Sequence, residues 1–149
     1  MRQAVVAIRV DSMRRIVFLL LVGIIFLTAC GAVSNSSDSN SNAPREPVPA
    51  AYAGKTNPYG AEMAPEGAKV FRANCEMCHG TEGHGDGLAG QSLDPKPRNL
   101  AVFQKGVADD YLFWRVSEGR PGTSMVAWKG ILTEVQIWQV VSFVRTLKE

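Results

Sequence analysis

The sequence predicts an all-α domain, because the three segments with a readable pattern are all helical and no βαβ pattern surrounds the cysteine pair between them. The last is the best defined. Ile137, Val140, Val141, Val144 and Leu147 recur at helical spacing, with Trp138 and Phe143 widening the apolar face. Thr133 with Gln136 three residues on forms a capping box, and Leu132 with Ile137 is the accompanying staple. A second helix is expected from a cap at Asp109 or Asp110 to Glu118, closed by Gly119. Tyr111, Leu112, Phe113, Trp114 and Val116 make it apolar nearly all round, as a buried helix would be. The first helix is expected to open at Pro65, whose missing N–H is no loss there, and to run to about Asn74 with Val70 and Phe71 as its apolar stripe. Glu66 suits its positive end. Gly67 weakens that helix, which points to close approach of another one.

Between these helices stands Cys75-Glu76-Met77-Cys78-His79. Two thiols separated by two residues, followed at once by an imidazole, are the attachment signature of a covalently bound c-type haem. Each thiol adds to one vinyl group of the porphyrin edge, and His79 is then held under the ring to bind iron from the proximal side. Two other chemistries compete. Cys75, Cys78, His79 and His84 supply four nominal zinc ligands within ten residues, but zinc sites normally draw their second pair from a more distant element. A redox dithiol would be expected beside a βαβ unit.

The formal charge of the 149 residues is +2, from 16 basic and 14 acidic side chains. That balance includes a segment expected to be removed. Arg14 and Arg15 precede an apolar run from Ile16 to Leu27, the order of a secretory signal. The run is short of a hydrocarbon core of ~30 Å. Leu27-Thr28-Ala29-Cys30 resembles the lipobox of bacterial lipoproteins, in which Cys30 would be acylated and become the first mature residue. Residues 1–29 are therefore expected to be a signal peptide, with translation starting at Met1 or at Met13; the alternative is an uncleaved single-span anchor. Either way the basic flank stays cytoplasmic and the domain lies on the outer, extracytoplasmic face of the membrane. Loss of residues 1–29 removes four arginines and one aspartate, leaving 12 basic and 13 acidic side chains. No support for a nucleic-acid partner remains. With Cys30 lipidated and Cys75 and Cys78 on haem, no cysteine is left for a disulfide.

From residue 30 to 63 the chain is rich in Ser, Asn, Ala and Pro, with Val33, Val48, Tyr52 and Tyr59 among its few large apolar side chains. It is expected to be a disordered tether, with the folded domain at 64–149. Packing of part of Tyr52 to Tyr59 against the domain or a partner is the alternative. After His79 the tract Gly80 to Gly87 is too glycine-rich for regular structure. His84 lies five residues after His79, too close to cross to the other haem face, and is read as a loop histidine. Asp94 to Leu100, with Pro95 and Pro97, is a stiff extended segment that can offer a carbonyl to the proximal imidazole. Met125 lies in the non-helical run Arg120 to Trp128, with enough chain after His79 to reach the opposite face. Position alone leaves it between iron ligand and core filler. Met63 precedes the first helix, and Met77 is held between the anchoring cysteines.

Together the attachment site, the glycine-rich tract, Pro95-Lys96-Pro97-Arg98-Asn99-Leu100, Gly122-Thr123-Ser124-Met125-Val126-Ala127-Trp128 and the final helix resemble the class I c-type cytochromes, over about Glu62 to Leu147. The resemblance implies a small helical domain wrapped round one covalent haem, with His79 proximal and Met125 distal. It implies a crossing of the first and last helices, Gly67 and Phe71 against Val140 and Phe143. It further implies that the carbonyl of Pro97, or of Pro95, accepts from His79, and that Arg98 pairs with a haem propionate. Relatives often carry proline directly after the ligand methionine, where this chain has Val126. The function implied is outer-sphere transfer of single electrons between membrane complexes, an electron carrier rather than an enzyme acting on a small-molecule substrate. The alternatives are a fixed haem subunit of a quinol-oxidising or terminal-oxidase complex, docked through Tyr111 to Trp114, or a peroxidase or gas sensor with a labile sixth position.

Overall fold

The computed structural model describes residues 45–149. The expected signal peptide, Cys30 and the tether up to residue 44 lie outside the described residues. Within them the protein is helical, without a strand: α1 (Ala64–Asn74), α2 (Glu76–His79), α3 (Leu100–Phe103), α4 (Asp109–Glu118) and α5 (Glu134–Thr146), with 3₁₀ turns at Ala61–Met63, Gly90–Ser92 and Gln104–Gly106. Among these residues no helix is long and apolar enough to cross a membrane.

α1 and α5 make the main crossing, as expected. Gly67 lies against the backbone of Gln139 and the Cβ of Phe143, and the rings of Phe71 and Phe143 meet 5.0 Å apart. α4 joins through Phe113, which stacks on Trp138 at 4.1 Å. Phe71, Leu112, Ile137, Val140, Val141 and Val144 complete the core. Full burial of each such side chain is worth ~1.5–3 kcal/mol, enough to orient three helices around one apolar centre.

Sequence signals and local structure agree closely at α5. The Gln136 N–H donates to the Thr133 hydroxyl at 3.2 Å, and Gln136 Oε1 accepts from the Thr133 N–H at 2.9 Å, so both halves of the capping box form. α4 differs in its cap. Ala108 is the N-cap, and both aspartates stand in the first turn. Asp109 is drawn away by Arg145, whose Nε and Nη2 donate to its Oδ1 at 2.8 and 2.7 Å. Arg145 also donates to the backbone carbonyls of Gln104 and Val107. A fork of charge-assisted bonds to one carboxylate outweighs a single capping bond, and it ties α5 to the chain entering α4.

The larger departure concerns the tether, where the alternative of packing at Tyr52 to Tyr59 holds and extends back to Arg45. Residues 45–59 pack along the domain instead of hanging free. Arg45 donates to the Gly106 carbonyl, and Glu46 pairs with Arg115 at 2.8 Å. Tyr52 sets its ring 6.0 Å from Phe113 and donates its hydroxyl to Glu118. The Gly54 N–H donates to Asp110 at 2.8 Å, and the Asn57 side chain donates to Trp138 O and Ser142 Oγ at 3.2 and 2.8 Å. The few large and charged groups of a weakly apolar segment each find a partner, which composition averaged over thirty residues conceals. This segment is a strap on the domain.

Candidate functional site

A cavity of about 300 Å³ opens between α1, α2, α4, α5 and the two loops that precede α3 and α5. It has the size and the apolar wall of a small-molecule or cofactor site. Cys75, Cys78, His79, Pro97, Arg98 and Met125 all line it. The attachment motif thus faces the space that the two extended loops border from other directions.

The motif gets its geometry from a helical step. The Cys75 N–H closes α1 on the Phe71 carbonyl at 2.7 Å, and the His79 N–H donates to the Cys75 carbonyl at 2.9 Å. Both thiols are free and half-buried. Burial, and next the neighbouring Cys78, push the Cys75 thiol up to about 12. The His79 ring packs 6.5 Å from Phe71. Burial lowers its pKa, with the Arg98 backbone acting in the opposite sense. A neutral imidazole is the form that binds a metal ion.

The expected hydrogen bond from His79 to Pro97 or Pro95 is not formed. His79 Nδ1 is buried without a hydrogen-bond partner. The Pro97 carbonyl instead faces Gly85, where a Cβ would stand 2.4 Å from it. The backbone group acting on the ring belongs to Arg98, one residue further on, near enough to raise its pKa without bonding Nδ1.

Met125 is half-buried and lines the same cavity. Its loop is pinned at both ends. The Arg120 N–H donates to the Met125 carbonyl at 2.9 Å, and the Trp128 and Lys129 N–H groups donate to the Ser117 carbonyl at 3.1 and 3.0 Å. The Thr123 hydroxyl accepts from the Met125 N–H at 3.2 Å. Gly119, at φ 65°, lets the loop fold back on its own stem. Val126, directly after Met125, is exposed.

His84 stands apart from this group, its Nε2 3.3 Å from the Lys148 carbonyl. Among the described residues no three His, Cys, Asp or Glu side chains converge as metal ligands. The four nominal zinc ligands therefore do not meet. Met77 is 63% exposed, on the outer side of the motif, and Met63 does not line the cavity.

Arg98, expected at the site, has two cationic neighbours that sequence reasoning missed, Arg115 and Arg120. Arg98, Arg115 and Arg120 all border the cavity. Arg98 lies 4.6 Å from the Phe103 ring centre with its Nη1 buried and unpartnered. Burial, and then Arg120, lower its pKa. Arg115 is only 8% exposed and stacks 3.7 Å over Trp114. Its sole carboxylate among the described residues is Glu46. The signal was a lone charge inside the apolar run Tyr111 to Val116, and it went unused. Haem fits this donor set. Two thiols, a neutral imidazole and a thioether surround one apolar space, and guanidinium groups in excess of carboxylates suit two propionates.

A family described as "Cytochrome C oxidase, cbb3-type, subunit III" matches residues 62–144. Among solved structures, a chain of the Kuenenia stuttgartiensis reducing HAO-like protein complex is similar, with a TM-score of 0.51 and 35% identity over 56% of this chain and 41% of that one. The chain thus spans less than half the length of that neighbour.

Proposed function

The chain belongs to the family of cbb3-type cytochrome c oxidase subunit III, and on that premise we propose that it is a mono-haem electron carrier tethered to the outer face of the cytoplasmic membrane. Its family makes it a c-type cytochrome, in which covalent haem supplies the reversible one-electron couple. The observation that carries the reading is that His79 and Met125 line one cavity together with Cys75 and Cys78. In it the two cysteines anchor the group and His79 serves as proximal ligand. Met125 would supply a thioether to the iron, and Arg98 would meet a propionate. A haem held from both faces binds no substrate, so the residues orient it, exclude water and leave the electron to cross at an edge. Lipid on Cys30 would hold the domain at the membrane.

The test is spectroscopic. The oxidised holoprotein is expected to show the far-red sulfur-to-iron charge-transfer band at neutral pH and to resist carbon monoxide when reduced. Absence of the band with ready carbon monoxide binding would favour the peroxidase or gas-sensor alternative. Redox titration of the same sample would narrow the donor and acceptor.

A second reading is a fixed subunit of a terminal-oxidase assembly. The family description itself favours it, as does likeness to a chain of a redox complex. Purification of the native membrane complex decides: a constant ratio to other subunits supports the fixed form, and recovery mainly as a free chain supports the carrier.

A further inference from the structure

We propose that Glu46, on the strap, is a positioning residue that sets the reduction potential of the site by neutralising Arg115, so that docking of the strap and oxidation state are coupled. The inference rests on the proposed haem site. The Glu46–Arg115 contact itself stands whether or not that reading holds. Arg115 borders the cavity from α4 and is nearly buried. It is fixed there by Trp114 beneath it, by the Tyr111 hydroxyl accepting from Nε at 3.4 Å and by the Gly119 carbonyl accepting from Nη1 at 3.3 Å. Among the described residues the one carboxylate that balances it, at 2.8 Å, comes from the strap, upstream of the matched family segment.

The sign follows from charge alone. Ferric iron carries one more positive charge than ferrous iron, so an uncompensated cation at the cavity wall favours the reduced state and raises the potential. Glu46 offsets that cation and lowers it. The side chain of Glu46 is 57% exposed and that of Arg115 9%, so the anion can leave while the cation cannot. Release of the strap therefore uncovers a buried positive charge. By reciprocity, the Glu46–Arg115 pair is held more tightly in the oxidised than in the reduced protein. Whatever draws on the chain upstream of Arg45 would then act on the potential.

The test uses the full-length, haem-loaded protein. Spectroelectrochemical titration compares wild type with Glu46→Gln, with Arg115→Gln and with Glu134→Gln, a loss of equal charge at the exposed start of α5. The expected result is a higher midpoint for Glu46→Gln, a lower one for Arg115→Gln and little change for Glu134→Gln. If Arg115→Gln does not fold, Glu46→Gln against Glu134→Gln still decides. A midpoint unmoved by Glu46→Gln, or moved as far by Glu134→Gln, overturns the inference. Trypsin supplies a second readout at Lys55 within the strap. Cleavage there is expected to be faster in the reduced than in the oxidised wild type, and Glu46→Gln is expected to abolish or reverse that order, since Arg45 and Lys55 remain on the strap. Equal rates in both states of the wild type also overturn it. If wild type carries no covalent haem or lacks the far-red band, the haem-site reading itself fails, a separate and visible outcome.

Discussion

The carbonyl oxygen of Gln139 occupies the place where a side chain on residue 67 would begin: a Cβ on Gly67 would stand 1.8 Å from it and 3.0 Å from the Cβ of Phe143. Backbone of α5 and the root of a side chain cannot retreat as a flexible tip can. Gly67→Ala is therefore expected to push α1 and α5 apart and to destabilise the domain by ~1–3 kcal/mol. Chemical denaturation followed by circular dichroism checks this, and an unchanged midpoint would contradict so close a crossing.

Gly119→Ala is expected to act on the site rather than on the core. A Cβ at that position would meet the Met125 carbonyl at 2.4 Å, and the φ of 65° is strained for alanine. The cost is ~1–3 kcal/mol of local strain, relieved most easily by displacement of the Met125 loop. In holoprotein the far-red band should weaken while helix content is kept.

Arg145→Lys should lose most of the stability that Arg145→Ala loses. The guanidinium meets Asp109 with two nitrogens and reaches the Val107 carbonyl as well, a planar fork that an ammonium group does not reproduce. Loss of a half-buried, charge-assisted group of this kind is worth ~1.5–3 kcal/mol. Urea midpoints of the two variants give the comparison.

Acid should free the strap before it unfolds the domain. Glu46 is held below the ordinary carboxylate range chiefly by the Arg115 guanidinium beside it, and Glu118 chiefly by hydrogen bonds from Tyr52 and Lys129. Both carboxyl groups have a lower pKa docked than free. Their contribution is then complete above about 4.3, the ordinary value, and is lost as pH falls through the depressed ones. Pepsin digestion at successively lower pH should cut within 45–59 while the helical signal persists. Tyr52→Phe should move that release to higher pH.

The fold was legible wherever short-range rules act alone. Thr133 and Gln136 are three residues apart, and Pro65 opens α1 almost where expected. The haem-attachment motif is equally local. What escaped depended on partners distant in sequence. Asp109 fails to cap because Arg145, far along the chain, claims it. The Pro97 carbonyl turns to Gly85 rather than to His79. Glu46 and Asn57 look like solvated tether residues until Arg115 and Ser142 are seen beside them.

The strap also shortens a leash. For a domain held by lipid on Cys30, as proposed, a free tether lasting to residue 64 could span at most about 120 Å when fully extended. With the chain fastened at Arg45, the same limit is about 50 Å. The volume within reach of the anchor falls with the cube of that length, to roughly a twelfth. Partners then have to stand close beside the anchor, and each encounter is correspondingly more frequent. Letting go of the strap would trade frequency for distance.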